Sequence, residues 1–577
     1  MLQMKPFTRR ALFVSAALTL TTASGCLDHP LKPAESDSSQ VKEDQIQLNV
    51  NKDVDILFVI DNSGSMGEEQ ANLAANFDAF INVLEDPAVK ANYRLGVTTS
   101  DMDNPRCDGT TPEKGHLVYQ SCTDRLGQFV SLDGTTDVGN IACSNQCGLS
   151  SGQLGITSDS KPWLESIEGV ANLPDGVSTT QAFQCLGPQG INGCGFESQL
   201  ESMNFSLIRM ESQDEPEFGF LRDNAILAII QVTDEADCSY NPQIANEIFL
   251  SNQTFWYSGP DALPYSTSAV CWNAGVKCVD NGGTLNCESA DYDISGNEIT
   301  DASAAEDSAV LFPVSRYISR VQGIENFKKD SNANQEVIVG LIGGVADDGQ
   351  PSYANSSDTS FMASFGIGAG CSAPVEGSVA CTDNTQCAGI GTQSCGAGGF
   401  CVEQQTAIPP VRLAEFTNNF TDDNMFTICS GDYTPALNAI AEAIADQLKP
   451  ACYTECVQDQ NLQTPDLVEP ECVVTERINQ VDNELSECLK DANGYVPDPV
   501  TAYTMPDDST NVCYAILTDV SGATADPLDD ISTDCSVEGY NLEFKLARRQ
   551  GFPAQGGSSV SAQCILSELP QIDCENL

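Results

Sequence analysis

The stretch Val54-Asp55-Ile56-Leu57-Phe58-Val59-Ile60-Asp61-Asn62-Ser63-Gly64-Ser65-Met66 constrains this chain more than any other part of it. An apolar run of strand length reads as a strand buried on both faces, as in a parallel sheet. The run stops at Asp61, and hydroxyls follow at Ser63 and Ser65. A sharp turn there brings one carboxylate and two hydroxyls together, a hard-oxygen set suited to Mg²⁺, Mn²⁺ or Ca²⁺. The carboxyl end of a parallel strand is also where open α/β sheets place their ligands.

The segments that follow alternate between strand and helix. A helix is expected over 68–84, where Leu73, Phe77, Phe80, Ile81 and Leu84 recur at helical spacing. Residues 92–99 read as a second strand, and alternation at 116–119 and 129–132 suggests a hairpin at the sheet edge. A helix is expected from about Phe196, with Leu200, Met203, Leu207 and Ile208 on its apolar face. Residues 225–232 form the next strand, ending at Thr233-Asp234. A helix over 311–327, a strand over 336–342 and a helix opened by Pro435 complete the pattern. The expected fold is α/β, a doubly wound and mostly parallel sheet over residues 51–450. Three long segments, near 101–190, 236–308 and 346–428, interrupt it and are rich in Cys, Gly, Asp, Asn and Ser. Loops of that length need disulfides or a function to order them. Residues 451–577 read as a small β-rich, disulfide-bonded domain, with strand signals at 512–517, 540–547 and 558–566.

Asp61-x-Ser63-x-Ser65 after such a strand and before an amphipathic helix resembles the metal-ion-dependent adhesion site of the von Willebrand factor A (vWA) family, whose fold is Rossmann-like. The resemblance implies one divalent cation held by three loops at the top of the sheet. Asp61, Ser63 and Ser65 match the first loop, and Asp234, just beyond its strand, matches the Asp of the last. The family's Thr is absent. The equivalent stretch is Gly190-Ile191-Asn192-Gly193-Cys194-Gly195-Phe196-Glu197, where Cys194 sits near the Thr position with Cys185 as a nearby partner for a disulfide. Glu197 either replaces the Thr as a ligand, directly or through water, which would favour Ca²⁺, or is a helix N-terminal acid complementing the dipole. Thr98, Thr99 and Asp101 are further candidates on the same rim. The resemblance also implies that a partner protein's Asp or Glu completes the coordination. Asp291-Tyr292-Asp293-Ile294-Ser295-Gly296 starts like a Ca²⁺ loop, but Ala302 stands where the bidentate Glu belongs, and a polar turn is the better reading.

The N-terminus reads as an export signal, residues 1–25, with Lys5, Arg9 and Arg10 before an apolar core over 11–20. Ala23-Ser24-Gly25-Cys26 resembles a bacterial lipobox, which makes Cys26 the lipidated first residue. Leu27 after it hints at the outer membrane, and Thr8-Arg9-Arg10 resembles a twin-arginine signal. Residues 26–50 read as a flexible tether. No other segment approaches the length of a membrane-spanning helix, so a lipid anchor is the expected membrane attachment. Of 25 Cys, 24 remain after Cys26, enough for twelve disulfides in an oxidising compartment. With no Cys-x-x-Cys pair and only His29 and His116, zinc is not indicated by spacing.

The chain carries 82 acidic and 26 basic residues for a net charge of −56, and losing the three basic residues of the signal makes it −59. That argues against nucleic-acid binding, which needs Lys and Arg to displace counterions. Enzymatic machinery is not evident either. His29 lies in the tether, and Ser63 sits outside a Gly-x-Ser-x-Gly elbow. The reading is a non-enzymatic, cation-dependent protein binder on the cell envelope. The alternatives are an envelope protein whose cation site only stabilises the fold and, further behind, a secreted hydrolase.

Overall fold

The computed structural model describes the strand Gln45–Gln47 and, with short internal gaps, residues 53–570. Residues 1–44, including Cys26 and the export signal, lie outside the described residues.

Seven strands make the central sheet. In chain order they are β1 (Asp53–Ile60), β2 (Asn92–Thr99), β3 (Leu164–Ile167), β4 (Val170–Ala171), β5 (Ile226–Val232), β6 (Ile338–Gly343) and β7 (Met425–Thr427). Their spatial order is β7-β6-β5-β1-β2-β3-β4. The five from β7 to β2 are parallel, and β3 and β4 close the edge as an antiparallel hairpin. Helices α1 (Gly67–Leu84), α2 (Thr179–Leu186) and α6 (Thr434–Gln447) cover one face. Helices α3 (Gln199–Glu211), α4 (Val314–Ser331) and α5 (Val411–Asn418) cover the other.

Strand β1 shows why the sheet must be covered twice. Ile56, Phe58 and Ile60 pack into the α1/α2/α6 core, while Leu57 and Val59 pack into the α3/α4/α5 core. The period of two sends alternate side chains to opposite faces. Phe58 meets Phe77 edge-on at 5.8 Å and Phe80 at 5.7 Å between ring centroids. Asp55, in the middle of this apolar strand, is fully buried because Arg222 answers it: Nε lies 2.8 Å from Oδ1, and the Arg222 N–H donates to Oδ2 at 2.6 Å.

The strand and helix expectations hold for β1, β2, β5, β6, α1, α4 and α6 to within a few residues. The edge hairpin lies elsewhere. It is made by β3 and β4, not by 116–119 and 129–132. Val118 donates one backbone hydrogen bond to Val97, but that segment builds no strand, and Phe129 ends a short 3₁₀ turn. Leu164 and Ser166 face the interior in alternation and win the edge. Helix α3 starts at Gln199 rather than Phe196. Its buried stripe is Leu200, Met203, Leu207 and Met210, and Ile208 is exposed.

Eleven disulfides occur among the described residues, and most tie an insertion to itself. Cys122–Cys143 and Cys147–Cys185 order the first insertion, Cys238–Cys271 and Cys278–Cys287 the second, and Cys381–Cys395 and Cys387–Cys401 the third. Cys371–Cys429 anchors the third insertion beyond β7, and Cys107 reaches Cys194. Beyond residue 450, Cys472–Ile478 and Ser559–Cys564 pair antiparallel, and Gln45–Gln47 adds to that sheet from within the range read as a tether. A second sheet centres on Val512–Leu517 and Glu543–Arg548. Cys452–Cys535, Cys472–Cys564 and Cys488–Cys513 cross-link this region.

Candidate metal centre

Strands β1 and β5 are neighbours in parallel register, Ile60 opposite Val232, so residues 61 and 234 emerge at the same rim. The Asp61 N–H donates to the Val232 carbonyl at 2.9 Å and locks the two strand ends together. Asp61 Oδ1 accepts from the Ser63 N–H at 2.8 Å and the Ser100 hydroxyl at 3.4 Å, and Oδ2 accepts from the Thr233 hydroxyl at 2.6 Å. The hydroxyls of Ser63 and Ser65 lie 3.3 Å apart. Nearby Ser65 also eases the ionisation of Asp234. Asp61, Ser63 and Asp234 are buried and Ser65 is exposed, so the set opens to solvent at Ser65.

The loop from 189 to 198 is sewn onto this rim. The Gly193 N–H donates to the Asn62 carbonyl at 2.8 Å, and the Ser198 N–H donates to the Ser100 carbonyl at 2.9 Å. Gln70, on α1, donates through Nε2 to the carbonyls of both Asp61 and Gly190 at 2.8 Å. Gly193 has to be glycine: a Cβ there would stand 2.2 Å from Asn62 Oδ1. Cys194 donates its N–H to Asp101 Oδ2 at 3.1 Å and is bonded to Cys107. The nearby Cys185 pairs with Cys147 instead. Closeness in sequence misleads here, because the segment after β2 folds back beside Cys194 while α2 packs Cys185 into the α1/α2/α6 core, a different cluster from that of Cys194.

Glu197 is 1 % exposed, and neither carboxylate oxygen has a hydrogen-bond partner. Asp234 Oδ1 and Glu69 Oε2 are likewise buried and unpartnered. Burial raises the pKa of Asp61, Glu69, Asp234, Glu197 and Glu235, Asp234 to about 7. After burial, a neighbouring acid is the next cause for four of them: Asp234 acts on Glu69 and Glu235, and Asp61 acts on Asp234 and Glu197. The leading charges acting on Glu69, Glu197, Asp234 and Glu235 are those of other acids, not of Lys or Arg. Buried carboxylates without a basic partner are neutralised by protons or by cations. Carboxylate and hydroxyl oxygens are the donors that Mg²⁺, Mn²⁺ and Ca²⁺ take.

Asp61, Ser63, Ser65, Asp234 and Glu197 therefore share one rim. The other candidates are engaged elsewhere: the Thr98 hydroxyl donates to the His116 carbonyl, the Thr99 hydroxyl donates to Glu113, and Asp101 holds the loops of 103 and 194. Sequence reasoning missed Thr233, Ser100, Glu69 and Glu235. Thr233 and Glu235 flank Asp234 at a strand end, a signal that was available. Ser100 and Glu69 become visible only when β2 and α1 are placed. The 291–296 segment is a turn, with Asp293 accepting from the N–H groups of Ser295 and Asn297. Among the described residues no helix is long and apolar enough to cross a membrane.

No protein-family model matches the chain, and no curated protein matches it. Among solved structures, the pilus adhesin SpaC of Lactobacillus rhamnosus GG in its open conformation aligns at 9% identity and a TM-score of 0.25, covering 90% of this chain and 39% of that one. A second structure of the same adhesin gives 11% identity and a TM-score of 0.24, with 90% and 40% covered. The chain thus spans about two fifths of the adhesin's length.

Proposed function

We propose that this chain is an exported, lipid-anchored bacterial envelope protein whose vWA-like sheet binds one divalent cation and, through it, an acidic side chain of a protein partner. Asp61, Ser63, Ser65 and Asp234 hold the ion, Glu197 takes the place of the family's Thr, and Cys26 carries the lipid. The ion is Ca²⁺, Mg²⁺ or Mn²⁺, and no bond is broken, so the protein is not an enzyme. One observation carries the reading: both carboxylate oxygens of Glu197 and Oδ1 of Asp234 are buried without a hydrogen-bond partner at the rim where Asp61, Ser63 and Ser65 converge. The abundant disulfides support export to an oxidising compartment.

The test uses the form lacking residues 1–26. Its melting temperature should rise with Ca²⁺ or Mg²⁺ through linkage, and Asp61→Ala should abolish the rise. Capture from envelope extracts should then retain a partner that EDTA releases. An ion-dependent shift that survives in Asp61→Ala refutes the site. A shift without any captured partner reduces the ion to a stabiliser of the fold.

A further inference from the structure

The only histidine among the described residues lies away from the rim, in a second cluster of potential ligands. His116 follows β2, and Glu215 and Glu217 lie in the loop after α3, about a hundred residues away in sequence. One ligand atom from each of the three lies within 4.8 Å of the other two. His116 Nδ1 is 3.0 Å from Glu217 Oε1, which also accepts the Leu117 N–H at 3.1 Å. Glu217 is 1 % exposed, and its second oxygen, Oε2, is buried with no partner. A buried carboxylate oxygen left without a donor is costly. The His116 pair therefore does not complete the site.

We infer that His116, Glu215 and Glu217 form a second metal site, specific for a divalent transition ion of the Zn²⁺ type. The donor set decides the class. An imidazole nitrogen with two carboxylates suits Zn²⁺, Co²⁺ or Ni²⁺, whereas Mg²⁺ and Ca²⁺ prefer the oxygen-only rim. Three protein ligands leave a fourth position for water, the arrangement of an open zinc site. Access is available, since the His116 side chain is 45% exposed while Glu217 forms the buried floor. Arg209 lies 2.9 Å from Glu215 Oε1, and its Nε donates to the Lys114 carbonyl at 3.2 Å. It occupies one oxygen of Glu215 and leaves the other to the ion. Its charge also lowers the net negative charge of the trio, which sets a moderate affinity. The ion would clamp the start of the first insertion to the loop between α3 and β5. The spacing of Cys residues could not announce this site, because its ligands meet only after β2 and α3 are packed.

The experiment titrates the full-length chain with Co²⁺ and reads the visible d–d absorption, with Zn²⁺ as competitor and excess Ca²⁺ holding the rim. One equivalent of Co²⁺ should absorb, and Zn²⁺ should displace it. Asp61→Ala and His29→Ala should leave the spectrum unchanged. His116→Ala and Glu217→Gln should each weaken binding by about tenfold or more, the scale on which a metal site loses affinity when a coordinating or supporting group is removed. His116 is half exposed, so its removal leaves the packing intact, and Glu215→Gln gives a second, surface variant with the same expected direction. Absence of a ligand-field band in the wild type overturns the proposal, as does a band that follows His29 or survives His116→Ala. The trio is then a hydrogen-bonded clip.

Discussion

Asp234 offers the sharpest test of the rim. Its carboxyl is pushed from 3.8 to about 7, by burial first and by the Asp61 charge second. Between those two values the folded protein binds more protons than the unfolded chain. The stabilisation is complete below about pH 3.8 and is lost as pH rises towards 7. From pH 5 to pH 7.5 this one group costs the metal-free fold a few kcal/mol, on the order of 2–3. Asp61, Glu69, Glu197 and Glu235 are all raised and act in the same direction. A divalent ion reverses the trend, because it binds the ionised ligands and competes with protons. The assay is denaturant unfolding with disulfides intact, at pH 5 and pH 7.5, in EDTA and in millimolar Ca²⁺. In EDTA the protein should be less stable at pH 7.5 than at pH 5 by at least the Asp234 share. Ca²⁺ should shrink or invert the difference, and Asp234→Asn should remove roughly 2–3 kcal/mol of it. Stability in EDTA that is flat across this range, or a pH slope untouched by Asp234→Asn, would refute the account of a buried, cation-seeking rim.

Arg222→Ala strands Asp55 in the core without a countercharge and should cost about 3–5 kcal/mol; a urea-unfolding loss under about 1 kcal/mol would mean that Asp55 is solvated some other way. Gly193→Ala drives a Cβ to within 2.2 Å of Asn62 Oδ1, and the loop shift should cost about 1–3 kcal/mol and weaken Ca²⁺ binding measured by calorimetry, with unaltered Ca²⁺ affinity as the contrary result. Glu197→Gln removes a buried charge that Asp61 and Glu235 oppose. The metal-free protein should gain stability at pH 7.5 while Ca²⁺ affinity falls, and a variant that binds Ca²⁺ as tightly as wild type shows that Glu197 is no ligand.

The parallel core was legible because its signals are local. Ile56 to Ile60 is apolar without interruption, and Leu73, Phe77, Phe80 and Ile81 repeat at helical spacing, so each element declares itself before any packing is known. Residues Asp61 and Asp234 were legible for a related reason: a polar residue just past a buried strand must lie at the rim. What stayed hidden was decided by tertiary packing. Ile208 belongs to an apolar stripe on paper, yet the stripe that packs runs through Met210. The hairpin of β3 and β4 lies deep in a Cys-rich insertion, where short strands carry little signal of their own. The pairing of Cys194 with Cys107, 87 residues away, overrides the nearer Cys185 because the chain after β2 returns to the same rim. Gln45–Gln47 joins a strand more than five hundred residues later, which no local pattern encodes.

The charge at the rim also constrains how such a protein can hold a partner. With a net charge of −56, the chain repels any acidic surface, although screening confines that repulsion to roughly 8 Å at physiological salt. Inside that distance the five buried carboxylates decide the sign of the interaction. Without an ion they reject a sixth carboxylate, and with protons they offer it little. A divalent ion would give it a coordination position, so on the proposed reading attraction would exist only at contact and only with the ion present. Five side chains of this rim, Asp61, Ser63, Ser65, Asp234 and Glu197, can act as ligands. Mg²⁺ takes six, which would leave one position; Ca²⁺ takes roughly six to eight, which would leave as many as three. A carboxylate at Glu197 in place of a hydroxyl therefore shifts the balance towards the larger ion, where the partner's acid can bind alongside water instead of having to expel the last one.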